Sequence, residues 1–76
     1  MSQAIKGLIK AKLDKRVITL KYYDLKRREL RDFLHNPIEA QDTLTFLRLT
    51  SELASRLEQL RVIDAEIETL ELYLTD

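Results

Sequence analysis

Three carboxylates, Asp64, Glu68 and Glu71, stand at i, i+4 and i+7. On a helix they share one face, a placement from which a metal site could be built. No histidine stands beside them to complete a transition-metal site, and a solvated acidic face accounts for the same spacing. The one histidine, His35, follows Asp32 by three residues, once, near the end of a helical segment. The Glu-x-x-His pattern of ferritin-type metal sites does not occur. The chain has no cysteine, which excludes disulfides, thiolate metal sites and Cys-His nucleophiles. No Ser-His-Asp set can be assembled around a histidine at a turn, and no Gly-rich phosphate loop is present. These residues point away from an enzyme and call for no metal and no cofactor.

A second kind of chemistry is phosphate recognition. Lys21, Lys26, Arg27, Arg28 and Arg31 cluster in the first half of the chain, with Tyr22 and Tyr23 among them as possible stacking partners for bases. The stretch "KRRELRDF" also looks like a nuclear-import or docking motif, although a helix explains those residues equally well. Against a nucleic-acid partner, 13 basic residues balance 13 acidic ones and the pI is about 6.6. The balance hides a split. Residues 1–34 hold ten Lys/Arg and four Asp/Glu, and residues 35–76 hold three and nine. The halves therefore carry +6 and −6 and should attract one another, within a chain or between chains.

These side chains sit on a chain dominated by good helix formers, with one Gly and one Pro. In the second half, Phe46, Leu53, Leu60, Ile67 and Leu74 recur every seven residues, with Leu49, Arg56, Ile63 and Leu70 three further on. That is an a/d heptad pattern broken only by Arg56. The first half offers Leu13, Leu20, Arg27 and Leu34 as one series, and Ile9, Arg16, Tyr23 and Leu30 as the other. Between the halves lies "LHNPIEAQD", residues 34–42. The residue before Pro37 is pushed out of the helical region, and His35 can face the negative end of the first helix. Asn36 is a favoured cap, Pro37 suits a first helical turn, and Glu39 would complete a box-like cap. Asp42 offers a later cap and a longer loop. A stop followed by a start reads as a turn, while a single long helix kinked at Pro37 also satisfies the charge split.

The expected fold is all-α: one helical-hairpin domain over 1–76, with helix 1 at about 3–35, a turn at about 35–41 and helix 2 at about 38–74. If facing residues total about 76, the heptad series align as an antiparallel coiled coil of helices roughly 50 Å long. Arg16, Arg27 and Arg56 then fall in the seam. They pair with carboxylates such as Asp24, Glu52 and Glu58, or lie along it with their heads in water. A second apolar stripe, Ile18, Tyr22 and Leu25, with Phe33 as an extension, stays outside that seam. So do Leu47, Ala54, Ala65 and Leu72 on the other helix. A fold this small gains little from its own burial, so a homodimeric four-helix bundle, or one completed by a partner helix, is expected.

The outline, two long helices joined near residue 36, is similar to two kinds of small helical hairpin. One is the plasmid-encoded RNA-binding hairpin that dimerises, and the other is the co-chaperone of type III secretion needle subunits. The resemblance lies in shape, and no residue roles follow from it. The residues themselves point to a non-enzymatic protein-interaction module, an adaptor, chaperone-like binder, inhibitor or regulator. In that reading Ile18, Tyr22, Leu25 and Phe33 dock on a protein partner, self or other. RNA or DNA binding through the basic residues is the alternative, and a structural or co-chaperone subunit of a larger assembly is a third. No apolar run approaches the roughly 20 residues of a membrane span, and "MSQAIKGLIKAKLDKR" has no signal-peptide core. Residues 3–25 could lie on a membrane surface, but a core-facing helix needs fewer assumptions. The expected location is the cytoplasm.

Overall fold

A computed structural model describes residues 2–74, with Glu39 described in its backbone only. Helix α1 runs Ser2–Leu34, a single 3-10 turn spans Glu39–Gln41, and helix α2 runs Thr43–Leu74. No strand occurs among the described residues. The helices lie side by side as a hairpin of 57 × 14 × 13 Å. The chain turns back at Pro37 rather than bending and running on.

Local chemistry explains the reversal. Helix α1 stops where Pro37 forbids the helical conformation to Asn36. Its last turn is closed by the His35 amide and the His35 ring, both on the Arg31 carbonyl, at 3.1 and 2.7 Å. The ring contact is a hydrogen bond with the proton on Nδ1. The next start signal is used differently from expectation. The Asn36 side chain accepts the Ile38 amide at 3.1 Å and its carbonyl accepts the Ala40 amide at 2.9 Å. Asn36 thus organises the 3-10 turn and not helix 2.

The second helix begins at Thr43, five residues later than the expected 38. Asp42 is its cap. Oδ1 accepts the Leu44 and Thr45 amides at 3.1 and 3.2 Å, and Oδ2 accepts the Thr45 hydroxyl at 2.7 Å. These bonds, the Thr45 hydroxyl first, hold the Asp42 carboxyl below its ordinary 3.8. The expected reach of Glu39 back to Asn36 falls on a side chain outside the described residues.

The seam is a heptad stripe on both helices. On α2 it uses the middle of the expected series, with Leu49, Leu60, Ile63 and Ile67 buried and Leu53, Arg56 and Leu70 half-buried, while the end members Phe46 and Leu74 lie exposed at the hairpin's two ends. On α1 the expected series Ile9, Arg16, Tyr23 and Leu30 is half-buried, as anticipated. Its companion is not. Leu13, Leu20, Arg27 and Leu34 are exposed, and the seam takes the residues one position earlier: Lys12, Thr19, Lys26 and Phe33. Facing residues also lie later than expected. Lys12 meets Glu66, Tyr22 meets Arg56 and Lys26 meets Glu52, so partners total 78 rather than 76, and Arg16 with Asp64 totals 80.

Charge explains the choice. Turning α1 by one position puts two lysines opposite two carboxylates. Lys12 lies 2.6 Å from Glu66 and Lys26 lies 2.8 Å from Glu52. It also buries Phe33, only 6 % exposed, beside the turn. Thr19 is buried without cost in hydrogen bonds, because its hydroxyl donates to the Lys15 carbonyl of its own helix at 2.9 Å. The leucines left behind become surface.

Candidate interaction site

The hairpin encloses little. Among the described residues five apolar side chains are buried, while seventeen large ones are substantially exposed. The exposed ones are not scattered. On α1, Ile18, Tyr22 and Leu25 each precede a seam position, whereas Leu13, Val17 and Leu20 each follow one. At 100° per residue the two sets flank opposite sides of the seam. In an antiparallel pair, residues preceding the seam on one helix share a face with residues preceding it on the other. Val62, just before Ile63, therefore joins the first set, and Leu57, just after Arg56, joins the second.

The first face is a groove. Ile18, Tyr22 and Val62 line a cavity of about 440 Å³ floored by Thr19 and Ile63. Beside it, Leu8, Val62, Ala65 and Leu70 line another of about 550 Å³. Arg56 closes one end, its guanidinium 5.1 Å from the centre of the Tyr22 ring, with Nη1 donating to Gln59 Oε1 at 3.1 Å. That stacking holds the Tyr22 ring in place while leaving the residue 48 % exposed. Ile18 and Leu25 are about as open. Three of the four residues expected to dock a partner therefore lie on one exposed stripe. Phe33 does not belong with them, because it is packed inside the seam.

The seam arginines resolve one by one. Arg16 Nε donates to Asp64 Oδ1 at 2.7 Å, which takes Asp64 out of the acidic row it forms with Glu68 and Glu71. Among the described residues no three His, Cys, Asp or Glu side chains are placed to hold a metal ion. Arg56 uses the Tyr22 ring rather than a carboxylate. Arg27 is outside the seam, 3.6 Å from Asp24. Of the expected carboxylates, Glu52 serves Lys26 and Arg48, and Glu58 serves none of them.

The basic cluster is dispersed by the fold. Lys26 sits in the seam, paired to Glu52 and to Glu29 at 3.4 Å. Arg27 and Arg31 are neutralised by Asp24 and Asp32 on their own helix. Lys21 and Arg28 alone of the five expected phosphate ligands have no carboxylate within 4 Å among the described residues.

Lys26 and Glu52 form the second cross-helix lysine pair of the seam. Glu52 Oε2 is closed off from water and has no partner in hydrogen-bond geometry, yet Lys26 Nζ lies 2.8 Å away. At that distance the contact acts as an ion pair. It draws the Lys26 ammonium above its ordinary 10.5, with Glu52 the main cause, against some desolvation. It lowers Glu52 below its ordinary 4.5, with Lys26 first and Arg48 assisting.

Sequence reasoning missed the seam lysines, because a lysine at a heptad position reads as a break in the pattern. The available signal was the i, i+7, i+14 recurrence of Lys12, Thr19 and Lys26 beside the leucine series. No described helix is long and apolar enough to cross a membrane. No protein-family model matches the chain, and neither a search of characterised proteins nor one of solved structures finds a match.

Proposed function

We propose that this hairpin is a non-enzymatic protein-interaction module that completes a four-helix bundle by accepting helices on its apolar faces. The observation that carries the reading is the groove of Leu8, Ile18, Tyr22 and Val62, with Leu25 exposed on the same stripe of α1, open along a seam that buries few side chains of its own. Exposed contiguous apolar surface on a folded chain marks a place where another chain sits. A groove between two helices suits an amphipathic helix, whose i, i+3 and i+4 side chains would enter the two cavities. Tyr22, held by Arg56, is the anchor, since rigid aromatic and arginine side chains contribute most at such interfaces. The module acts as an adaptor, chaperone-like binder or regulator, and a cysteine-free chain suits the cytoplasm.

The test is capture on immobilised hairpin, with wild type beside Tyr22→Asp and Leu25→Asp. Proteins held by wild type and lost by both variants, at unchanged helical circular dichroism, support the reading. Equal capture by all three removes it. Capture of nucleic acid that disappears steeply with added salt would instead favour phosphate recognition by Lys21 and Arg28.

A further inference from the structure

Resting on the reading of the hairpin as an interaction module, we infer that its second apolar face is covered by another copy of this chain. That face consists of Leu13, Val17 and Leu20 of α1, with Ala54 and Leu57 of α2. The two copies are related by a two-fold axis parallel to the helices. Each α1 lies against the partner's α2, and both turns are at the same end.

The first support is area. The chain exposes 5984 Å², whereas a compact monomer of 9.0 kDa exposes about 4,900 Å². The excess, about 1,100 Å², exceeds the roughly 800 Å² per partner that a stable interface covers. Val17, 55 % exposed, lies at the centre of this face between Leu13 and Leu20.

The second support is charge, and it fixes the arrangement. At its start α1 presents on this face Lys6, just after Ile5 and without an ion pair among the described residues, and Lys10, just after Ile9 and met only by Asp14 of its own helix at 3.7 Å. On α2 the same face carries Glu68 and Glu71, just after Ile67 and Leu70, and neither has an ion pair among the described residues. A two-fold axis perpendicular to the helices would lay α1 on α1 and oppose like charges. An axis parallel to them lays α1 on α2 and opposes unlike ones.

Rotation about a parallel axis leaves heights unchanged, so the register between copies repeats the register within one. Lys12 is level with Glu66 and Tyr22 with Arg56. Lys10 is then level with the partner's Glu68, and Lys6 lies within one residue of the partner's Glu71. Two cations of one helix meet two anions of the other. The groove holding Tyr22 faces away from this contact and stays free.

Light scattering over a concentration series tests it. Wild type should show twice the 9.0 kDa chain mass. Val17→Asp and Leu20→Asp should halve it at unchanged helicity, and Tyr22→Asp should leave it alone. Lys10→Glu and Glu68→Lys should each weaken the dimer about tenfold, because symmetry applies each change twice, and the double variant should recover. The cysteine-free chain allows a direct check of arrangement. Lys10→Cys chains mixed with Glu68→Cys chains should cross-link as a heterodimer. Self-cross-linking of Val17→Cys would mean α1 against α1 and would overturn the arrangement. A wild-type monomer at every concentration, or a dimer split by Tyr22→Asp and not by Val17→Asp, would overturn the inference. The monomer result would leave the groove reading standing.

Discussion

The two helices contribute unequally to the surface they share. Helix α2 brings a nearly continuous aliphatic row, Leu49, Leu53, Leu60, Ile63, Ile67 and Leu70, interrupted by Arg56. Helix α1 brings Lys12, Arg16, Thr19, Tyr23 and Lys26 through its middle and keeps carbon for the two ends, Ile5 and Ile9 at one and Leu30 and Phe33 at the other. One side of the seam supplies burial and the other supplies address. Aliphatic packing tolerates small slips, whereas an ammonium 2.6 or 2.8 Å from a carboxylate defines one register. Polar groups at core positions commonly set alignment at a cost in stability.

The largest test removes the aliphatic side. Ile63 is 2 % exposed, and Ile63→Ala should cost about 2–5 kcal/mol in urea denaturation. In a seam this thin that would leave the chain largely unfolded. A smaller, opposite effect is expected on α1. Thr19→Val replaces a buried hydroxyl by a methyl of the same shape and leaves the Lys15 carbonyl its helical bond. It should stabilise the hairpin by about 1 kcal/mol, read as a rise in Tm. If Thr19→Val destabilises, the threonine has a partner role that its own-helix bond does not explain.

The charge pairs predict a pH window. Glu52 is lowered in the folded state, so its contribution is present above 4.5 and is lost as pH falls through the lower folded value. Asp42 behaves in the same way below 3.8. Lys26 is raised, so its contribution is complete below 10.5 and is lost as pH rises through the higher folded value. Tm should be flat between these limits. Glu52→Gln should make the acid limb shallower while leaving the Asp42 part of it. The smallest effect belongs to the cap alone: Asp42→Ala should lower Tm slightly and increase amide exchange at Leu44 and Thr45 without altering the seam.

The unequal seam also governs what could be read from residues alone. The α2 series was legible because its large aliphatic side chains repeat every seven residues. The Ile18, Tyr22 and Leu25 stripe was legible because it matched neither seam series and had to face elsewhere. On α1 two rows one position apart compete, and counting carbon favours Leu13, Leu20 and Leu34. The row that wins does so through Glu52 and Glu66, residues on the other helix, and through Phe33 at the turn. No count along α1 contains that information. The second start signal misled for a similar reason: Asn36 has the right side chain for a cap, but its hydrogen bonds close a 3-10 turn, and Asp42 was needed to start the helix.

Each helix end at the turn is finished on its own side, α1 by His35 on Arg31 and α2 by Asp42 on Leu44 and Thr45. The segment from Pro37 to Gln41 is therefore a tether more than a structural joint. Opening the chain there would give a split protein, one piece cationic and the other anionic. Their reunion would become a second-order process, governed by concentration and ionic strength in place of chain connectivity.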